Sequence, residues 1–490
     1  MTLTQTADVR WALLGEQLPL IVDGEEVVTE ASADIVAPRD KAVVGSFSVA
    51  STREIDRALA AARRAQPAWA AAPGSVRAKA LLKAAEIMEA HAAEFEFLDA
   101  VDIGKPVMNV RYSDIPVSLD GLSYFAGKAQ DIAGRSVQVG DPNVSHRQIV
   151  SPYGVVVEVL PWNGPLWTGV QRVAAILAAG NACIVKPAMI ASASFLHFAR
   201  LVAPLFPAGI LQVLPGSGGS VGNALATSPL VDMVSLTGGV ETGVELLRST
   251  AHQLKPLSLE LGGKNPNIVL DDADLETALR WSTMGAFANS GQVCVCGSRI
   301  LVQRGIYDAF AEGLAEAARA RKVGDPLDEG TEMGPVVGGD HYDSIWSYLD
   351  EAMSRGDGSV LAGGERYEGE LADGWYIPPT VIADVDPSCR IAREEVFGPV
   401  VTLTPVDDLD HALRIANDSD YGLSAGIFTT NVEHAERAAR ELEAGQVYVN
   451  QWFAPGVLQA PSGGYKHSGY GLVGIEKYQQ SKNVFVRSNG

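Results

Sequence analysis

The spacing of apolar residues along the chain changes near residue 130. Before it, apolar positions such as Ile55 and Leu59 recur at helical intervals, opened by the capping box S-T-R-E at 51–54. In such a box the Ser hydroxyl and the Glu carboxylate satisfy each other's backbone N–H groups. A second helix is predicted after Pro73 and Gly74. The first third of the chain is therefore expected to be rich in helix.

Between residues 130 and 153, polar and apolar residues alternate over short stretches, as in R-Q-I-V at 147–150. Alternation with this period is typical of a strand. Since no other strand is predicted beside it in the sequence, we expect it to project from the body of the protein.

From residue 155, short apolar strands alternate with amphipathic helices, which is typical of crossover units in a parallel sheet covered on both faces. The predicted strands are 155–160, 182–186, 210–214 and 233–236, and the predicted helices are 166–177, 192–202, 219–226 and 241–250. A second run of this kind fills about 264–450, with strands at 300–303, 400–405, 425–429 and 446–450 and helices at 307–320 and 409–417. With a closing strand at 483–486, the pattern predicts two α/β domains and a small β appendage.

Composition narrows the function classes. The chain has 490 residues, 47% of them hydrophobic, and its 59 acidic and 38 basic residues give a net charge of −21. Nucleic acids and anionic membranes need a basic surface, so neither is an expected partner. No apolar run approaches the roughly 18 residues of a spanning helix, and the N-terminus lacks a secretory pattern, so a cytoplasmic location is expected. The four cysteines lack the spacing of a disulfide scaffold or a zinc site, and no metal is expected.

Cys294 is the strongest candidate nucleophile. It lies in G-Q-V-C-V-C-G at 291–297, after a predicted helix at 275–289 and a Ser-Gly turn, where a side chain can face a cleft. Only the thiolate is an effective nucleophile, so the thiol would need a polarising neighbour. The alternative is that Cys294 is a small buried apolar residue, the commoner role of a free cysteine. Cys296 is expected to be a bystander.

Two further side chains suit acyl chemistry. Glu260 ends an apolar strand before a Gly-Gly turn, where open α/β sheets bind ligands, and partial burial would make it a general base. An ion pair with Lys264 or another cation is the alternative. Asn163, in P-W-N-G-P at 161–165, can donate a hydrogen bond to an oxyanion, although Asn-Gly is also a common turn.

Two glycine-rich strand exits suit a diphosphate. Gly238 and Gly239 lie in L-T-G-G-V-E-T-G at 236–243, between a strand and the N-terminus of a helix. Gly218 lies in the similar exit L-P-G-S-G-G at 214–219. Neither has the spacing of a specific dinucleotide motif, so a tight turn is the alternative for each.

Taken together, these segments resemble the aldehyde dehydrogenase superfamily over nearly the whole chain. The spacing of Glu260 and Cys294 is close to that of the family's base and nucleophile. The matching motifs follow the family's order: PWNGP at 161–165, KPA at 186–188, LTGGVETG at 236–243, LELGGKNP at 259–266, GQVC at 291–294, EEVFGP at 394–399 and PSGGYKHSG at 461–469.

The resemblance implies an NAD(P)-dependent, non-phosphorylating, acid-forming enzyme. Cys294 would attack the aldehyde to give a thiohemiacetal, whose oxyanion the Asn163 amide and the Cys294 backbone N–H would stabilise. Hydride transfer to the nicotinamide would leave a thioester, and Glu260 would activate the water that hydrolyses it. Acyl-CoA-forming members tend to lack this glutamate, so its presence favours release of a free acid.

The resemblance also implies the cofactor contacts. Lys186 would bind the adenosine ribose, residues 238–243 the diphosphate and Glu395 the nicotinamide ribose. Three positions after the lysine, where the family often has an acidic residue that would repel a 2′-phosphate, this chain has Met189. NAD is therefore expected, but NADP is not excluded. The full predicted set is Trp162, Lys186, Gly218, Thr237, Gly238, Gly239, Gly243, Leu261, Glu395 and Phe397.

By the same resemblance, the substrate pocket contains three aromatic residues, which suggest a medium-sized apolar or aromatic aldehyde. No arginine that could bind a substrate carboxylate occupies a pocket position. A semialdehyde is nevertheless the alternative, because Arg172 lies nearby on the predicted helix 166–177 that carries several pocket residues. The predicted pocket residues are Trp167, Thr168, Gln171, Val293, Val295, Trp452, Phe453 and Ser462.

The implied architecture is α/β. A Rossmann-type cofactor domain would comprise residues 1–129 and 152–262, an α/β catalytic domain 263–462, and a β oligomerisation appendage 130–151 and 463–490. In the family this appendage pairs between subunits, so a homodimer or homotetramer is expected. Two other classes remain open: a cysteine-dependent thioesterase or esterase without redox chemistry, and an inactive structural protein that binds the cofactor.

Overall fold

A computed structural model of the chain describes residues 10–138, 140–453, 458–460, 463–471 and 474–488. Two large, mostly parallel sheets with helices packed on them make up most of this part of the chain. The predicted α/β architecture is therefore confirmed. None of the helices described is long and apolar enough to cross a membrane.

The first sheet contains eight strands among the described residues, and its five central strands are parallel. The two strands at one edge and the last strand at the other run antiparallel to their neighbours. In order across the sheet, the strands are Glu25–Val27, Leu20–Val22, Leu211–Val213, Ala182–Lys186, Val155–Val159, Met233–Thr237, Leu257–Glu260 and Gly469–Tyr470.

Helices cover this sheet and share one large apolar core with it. The predicted capping box is confirmed, since Ser51 accepts from the first turn and Glu54 accepts from the Ser51 backbone N–H at 3.0 Å. The α-helices of this half are Thr52–Ala71, Gly74–Ala90, Ala92–Ile103, Val107–Asn109, Ile115–Gln130, Pro165–Ala178, Ala193–Val202, Asn223–Thr227 and Val240–Thr250. The helix predicted at 219–226 begins instead with a π-helical turn, Gly218–Gly222.

The prediction of a helix-rich first third missed four short strands. Leu20–Val22 and Glu25–Val27 form a hairpin whose turn residues, Asp23 and Gly24, have φ angles of 52° and 77°. Asp-Gly is a strong hairpin signal, but strands of three residues are too short to show an alternating pattern. The other two, Ser32–Val36 and Val43–Ser48, pair antiparallel with each other.

The second sheet has seven strands among the described residues, all parallel except the first. Apolar side chains on both of its faces are buried against helices, which explains why its strands are continuously apolar. In order, the strands are Ser359–Ala362, Thr380–Ala383, Val400–Val406, Arg299–Gln303, Pro266–Val269, Ser424–Phe428 and Gln446–Val449. The α-helices are Leu275–Phe287, Tyr307–Ala320, Gly339–Arg355, Arg390–Arg393, Leu409–Asn417 and Val432–Glu441.

The C-terminal segment is more closely joined to the two sheets than the predicted appendage at 463–490 implies. Tyr465–Lys466 pairs with Tyr421–Gly422, and Gly469–Tyr470 pairs with the strand that ends at Glu260. Only Gln479–Arg487 forms the separate ribbon, with Val144–Pro152. The segment before it therefore belongs to the body of the molecule, and the other domain boundaries stay predictions.

The capping box should contribute measurably to stability. Ser51→Ala removes the side chain that caps Thr52–Ala71 and is expected to lower the free energy of unfolding by about 1 kcal/mol. Ser75, at the exposed start of the next helix, makes no capping bond, so Ser75→Ala is the matched control. Urea unfolding followed by circular dichroism measures both. Equal stability of the two variants would contradict the role of the cap.

Candidate active site

Cys294 lies in a loop that begins with three consecutive residues of positive φ. Asn289, Ser290 and Gly291 have φ angles of 50°, 56° and 71°, so the helix ends at Phe287, two residues before its predicted end. A Cβ at position 291 would lie 2.0 Å from the carbonyl oxygen of Gly398. Only glycine fits there, and the close contact brings the EEVFGP and GQVC motifs together.

Asn265 holds this nucleophile loop against the strand exit that follows Glu260. Its Nδ2 donates to the carbonyl oxygens of Cys294 and Cys296, both at 2.8 Å, and its Oδ1 accepts from the Ser424 N–H at 3.0 Å. A Cβ at Gly263 would lie 2.7 Å from the Cys294 carbonyl oxygen, so the Gly-Gly turn permits this approach. Asn265 lies within the LELGGKNP motif, and nothing in its local sequence predicts this contact.

The Asn163 amide lies beside the same loop. Its Nδ2 donates to the carbonyl oxygen of Gln292 at 2.8 Å, and Asn289 Nδ2 donates to the Asn163 carbonyl oxygen at 2.9 Å. A primary amide has two N–H groups, so one hydrogen bond fixes its position and leaves a second donor for a substrate oxygen. Gln292, which sequence analysis did not single out, is itself held by the Val337 N–H at 3.0 Å.

Glu260 ends the strand Leu257–Glu260, as predicted, and its side chain is only 8% exposed. Burial raises the pKa of its carboxyl group, while the nearby charges of Arg172 and Lys477 lower it. The structure does not support the alternative of an ion pair with Lys264, because the charged neighbours of that lysine are Arg299, Glu395 and Glu394. Among the described residues, Glu260 Oε1 has no hydrogen-bond partner. A buried carboxylate of this kind suits a general base.

Cys294 is half-buried and carries its thiol close to two carboxylates. Burial, followed by the charges of Glu395 and Glu260, raises its pKa to about 12, against the opposing effects of the Val295 N–H and Arg172. Cys294 is therefore a neutral thiol at neutral pH in the free protein. The negative charge of Glu260 contributes to keeping it protonated.

The EEVFGP motif lies against the Gly-Gly turn after Glu260. Glu395 Oε1 accepts from the Gly263 N–H at 2.8 Å, and burial raises the pKa of Glu395 to about 7. Phe397, with a φ angle of 55°, packs its ring 5.1 Å from that of Trp162. His341 was not predicted, yet its ring lies 4.9 Å from Trp162 and its Nε2 is 2.8 Å from the Phe397 carbonyl oxygen.

The predicted diphosphate and ribose residues lie at the carboxyl ends of neighbouring parallel strands. No described atom lies within 4 Å of a Cβ built at Gly218 or Gly239, so these turns border open space. Thr237 Oγ1 is buried without a hydrogen-bond partner in the described part of the chain. Lys186 is 6% exposed, and its burial lowers the pKa of the ammonium group to about 8.

Leu261 packs against the first turns of the helix Val240–Thr250. Its Cδ1 would lie 2.9 Å from a Cβ at Gly243, so the predicted Gly243 permits close packing of the helix on the strand exit. The Gly238 N–H donates to the Glu260 carbonyl oxygen at 3.0 Å. The glycine-rich turn predicted to bind the diphosphate is therefore hydrogen-bonded directly to the backbone of the predicted base.

The predicted pocket residues are only partly brought together. Val293 and Val295 flank Cys294 and are half-buried, as are Trp167, Gln171 and Phe453, whereas Thr168 is buried. Ser462 lies outside the described residues.

Trp452 corrects the predicted pocket. It is fully buried beneath the nucleophile loop. Its indole N–H donates to the Val295 carbonyl oxygen at 2.9 Å. Its ring fills the space beside Gly285, Gly297 and Gly426. Trp452 therefore supports the loop that carries Cys294 and presents no surface to a ligand.

One group of potential metal ligands lies away from these motifs in the described part of the chain. His91, Glu94 and His197 hold their ligand atoms within 4.8 Å of one another. Glu94 already bonds His197 at 2.6 Å and pairs with His91 at 3.0 Å. The Glu94 carboxylate is therefore shared between the two histidines. The sequence places His197 far from the other two and gave no signal for this group.

This combination of a parallel-sheet domain, a second α/β domain and a cysteine loop at their junction is that of the aldehyde dehydrogenases. The sequence model of the aldehyde dehydrogenase family matches residues 26–484. The chain therefore belongs to this family, whose members are NAD(P)-dependent oxidoreductases that convert aldehydes to carboxylic acids.

Individual relatives resemble the chain along nearly its whole length. It is 40% identical over 443 residues to a probable aldehyde dehydrogenase of Streptomyces coelicolor, covering 88% of this chain and 86% of the relative. It is 38% identical over 480 residues to a peroxisomal aminoaldehyde dehydrogenase of Malus domestica, covering 95% of each. The structure of betaine aldehyde dehydrogenase from Staphylococcus aureus in complex with NAD+ matches with a TM-score of 0.94 at 36% identity, covering 99% of this chain and 98% of that one.

The charge of Glu395 should control how readily Cys294 reacts. Glu395→Gln removes the largest electrostatic contribution that raises the pKa of Cys294, so alkylation by iodoacetamide at pH 8 is expected to become about tenfold faster. Mass spectrometry of the Cys294 peptide measures the rate. Glu394→Gln, at the exposed neighbouring position, is the control and should leave the rate unchanged. An unchanged rate in Glu395→Gln as well would contradict the described charge environment.

Proposed function

We propose that Cys294 is the nucleophile, Asn163 an oxyanion donor and Glu260 the base of an acid-forming aldehyde oxidation. The observation that carries this proposal is the convergence of the three on one loop. The Asn163 amide is bonded to Gln292, two residues before Cys294, and the charge of Glu260 acts on the Cys294 thiol. Each residue type suits its role.

The reaction uses these groups in order. Cys294 loses its proton to solvent water and its sulfur bonds to the aldehyde carbon. The carbonyl oxygen takes the negative charge beside the Asn163 amide. Bound NAD supplies the hydride acceptor. Once the C–H bond has broken, the carbonyl re-forms as a thioester on Cys294. Glu260 takes a proton from water, whose oxygen attacks the thioester, and the C–S bond breaks to release the acid and regenerate the cysteine.

NAD is the cofactor, and the residues at the predicted site fit it. The unpartnered Thr237 hydroxyl, the open Gly218 and Gly239 turns and the buried Lys186 ammonium are the donors and space that a dinucleotide needs. Met189 is half-buried and uncharged, so a 2′-phosphate meets no repulsion from it. Because Met189 stands where the family often has an acidic residue, the enzyme is expected to prefer NAD and to use NADP measurably.

The substrate is an uncharged apolar or aromatic aldehyde of medium size. Val293 and Val295 flank the nucleophile, and these two residues and the predicted pocket residues Trp167 and Phe453 are half-buried and apolar, which suits such a ligand. Arg172 is a cation that a carboxylate substrate could use, but the charges of Glu260 and Glu158 already act on it. A semialdehyde is therefore disfavoured.

The chain assembles through its ribbon, as a homodimer or homotetramer, in the cytoplasm. Along Gln479–Arg487, Phe485 is 63% exposed and Val486 50% exposed, and Ile149 on the paired strand is 40% exposed. Exposed apolar side chains on a two-stranded ribbon with unpaired edges favour pairing with a second copy.

The roles of Cys294 and Glu260 are separable by kinetics. Cys294→Ala is expected to lose at least about a thousandfold in kcat, since no covalent intermediate can form. Glu260→Gln is expected to give a rapid burst of about one NADH per subunit followed by slow turnover, because thioester hydrolysis is blocked. Stopped-flow NADH absorbance measures both. Full activity in Cys294→Ala would contradict the role given to this cysteine. Hydrolysis of thioesters with no NADH formed from any aldehyde would favour a cysteine hydrolase instead.

An aldehyde panel tests the substrate class. Benzaldehyde and octanal are expected to give kcat/KM values at least about tenfold above those of succinic semialdehyde and betaine aldehyde, because the pocket rewards apolar surface and transfer of a charged group from water into it is costly. Each aldehyde is assayed with NAD and with NADP, and NAD should be preferred. A preference for either charged aldehyde would contradict the proposed pocket and leave the reaction class intact.

A further inference from the structure

Behind Glu260, polar side chains line up across three neighbouring strands of an otherwise apolar sheet. Glu158 is paired with Ser235 in register, and Ser235 with Ser258. Glu260 lies two residues beyond Ser258 and hence on the same face. All four side chains are buried, at 0%, 1%, 2% and 8% exposure respectively. This row places a second carboxylate, that of Glu158, beneath the proposed active site.

The helical turn Ile475–Tyr478 inserts two side chains into this row. Lys477 Nζ lies 3.4 Å from Ser235 Oγ and 3.3 Å from Ser258 Oγ. The Tyr478 hydroxyl donates to Glu158 Oε2 at 3.1 Å. The lysine is therefore held by two serine hydroxyls. Both belong to the row of side chains that runs from Glu158 to Glu260.

The buried negative charges of Glu158 and Glu260 need nearby positive charges to offset the cost of their burial. In the described part of the chain, Glu158 Oε1 and Glu260 Oε1 both lack hydrogen-bond partners. A buried carboxylate without such bonds is costly unless an opposite charge lies nearby. Arg172, on the helix Pro165–Ala178, and Lys477 are the cations that act on both carboxylates. Nothing in the family motifs of the sequence marks Lys477 or Glu158 for this place.

We propose that Lys477 is a positioning residue for the base: its ammonium group, anchored by Ser235 and Ser258, keeps the Glu260 carboxylate ionised while the thioester is hydrolysed. This role rests on the proposed function of Glu260. Lys477 touches neither the thioester nor the cofactor in this account, and it acts only through Glu260.

Lys477 and Glu260 face one further cation, Arg172, and one further carboxylate, Glu158. The positive charges of Arg172 and Lys477 lower the pKa of Glu260 against its burial. Burial and Arg172 lower the pKa of Lys477 to about 7, and Glu158 and Glu260 oppose them. Lys477 is therefore cationic below about pH 7, and in that range its charge opposes the protonation of Glu260. Tyr478 and Cys294, which also face the cluster, have raised pKa values and stay neutral there.

The pH profile of thioester hydrolysis tests this role. Lys477→Gln removes the charge but keeps a donor for the serine hydroxyls, and the acidic limb of kcat is expected to move up by about one pH unit. The plateau at higher pH should stay within about threefold of wild type, since the base itself is intact. Lys477→Arg keeps the charge and should keep the limb at its wild-type position. Lys482→Gln, on the exposed ribbon, is the control.

Lys477→Met guards against a folding defect in Lys477→Gln. Replacing a buried cation by an apolar side chain of similar volume is often tolerated, and Lys477→Met should show the same upward shift. Thermal melting checks that each variant is folded. An acidic limb that stays in place in either folded variant would contradict the proposal. If Glu260→Gln hydrolysed the thioester at the wild-type rate, the proposed function of Glu260 would fail first, and with it the role of Lys477.

Discussion

One carboxamide, that of Asn265, holds the proposed active site together. It joins the loop that carries Cys294 to the strand exit that carries Glu260, and all of its contacts are buried and satisfied. Because both hydrogens of Nδ2 are used on the loop and Oδ1 on the neighbouring strand, rotation of the side chain would break several bonds at once. Gly263 permits the approach, and Trp452 supports the loop from below through the Val295 carbonyl. The nucleophile is thus positioned by backbone bonds, and its own side chain stays free to react.

Burial sets the chemistry of this site. It raises the pKa of Cys294, Glu260 and Glu395. In the free protein the thiol is therefore protonated, and the two carboxyl groups titrate nearer to neutrality than they would in water. For Glu260 this is useful, since a base works best with a pKa close to the working pH. Too large a rise would leave it protonated, and the cations behind it oppose that outcome.

Much of this architecture could be predicted from sequence, because strands buried on both faces are continuously apolar and the helices between them are amphipathic. The capping box at Ser51 and the strand ending at Glu260 follow from local patterns and are confirmed. The N-terminal hairpin was missed because its strands have three residues each. The predicted roles of Cys294, Glu260 and Asn163 stay predictions, although the structure places these residues around one loop.

The contacts that sequence analysis could not supply all join residues far apart in the chain. Trp452 was expected in the pocket from the resemblance to the family. Its burial depends on three glycines from separate elements, which no local pattern reveals. Lys477 and Glu158 are likewise brought together only by the sheet register and the C-terminal turn. A charged residue in an apolar strand, as at Glu158, was the available signal.

The central claim is that the aldehyde carbon becomes covalently bound to Cys294 and is released by Glu260. Acid quenching of Glu260→Gln during turnover with NAD and benzaldehyde, followed by peptide mass spectrometry, tests it directly. The account predicts a benzoyl group on the peptide that contains Cys294, in amounts approaching one per subunit, and little of it in the wild-type enzyme under the same conditions. An unmodified Cys294 in a variant that still produces NADH, or a benzoyl group on another cysteine, would contradict it.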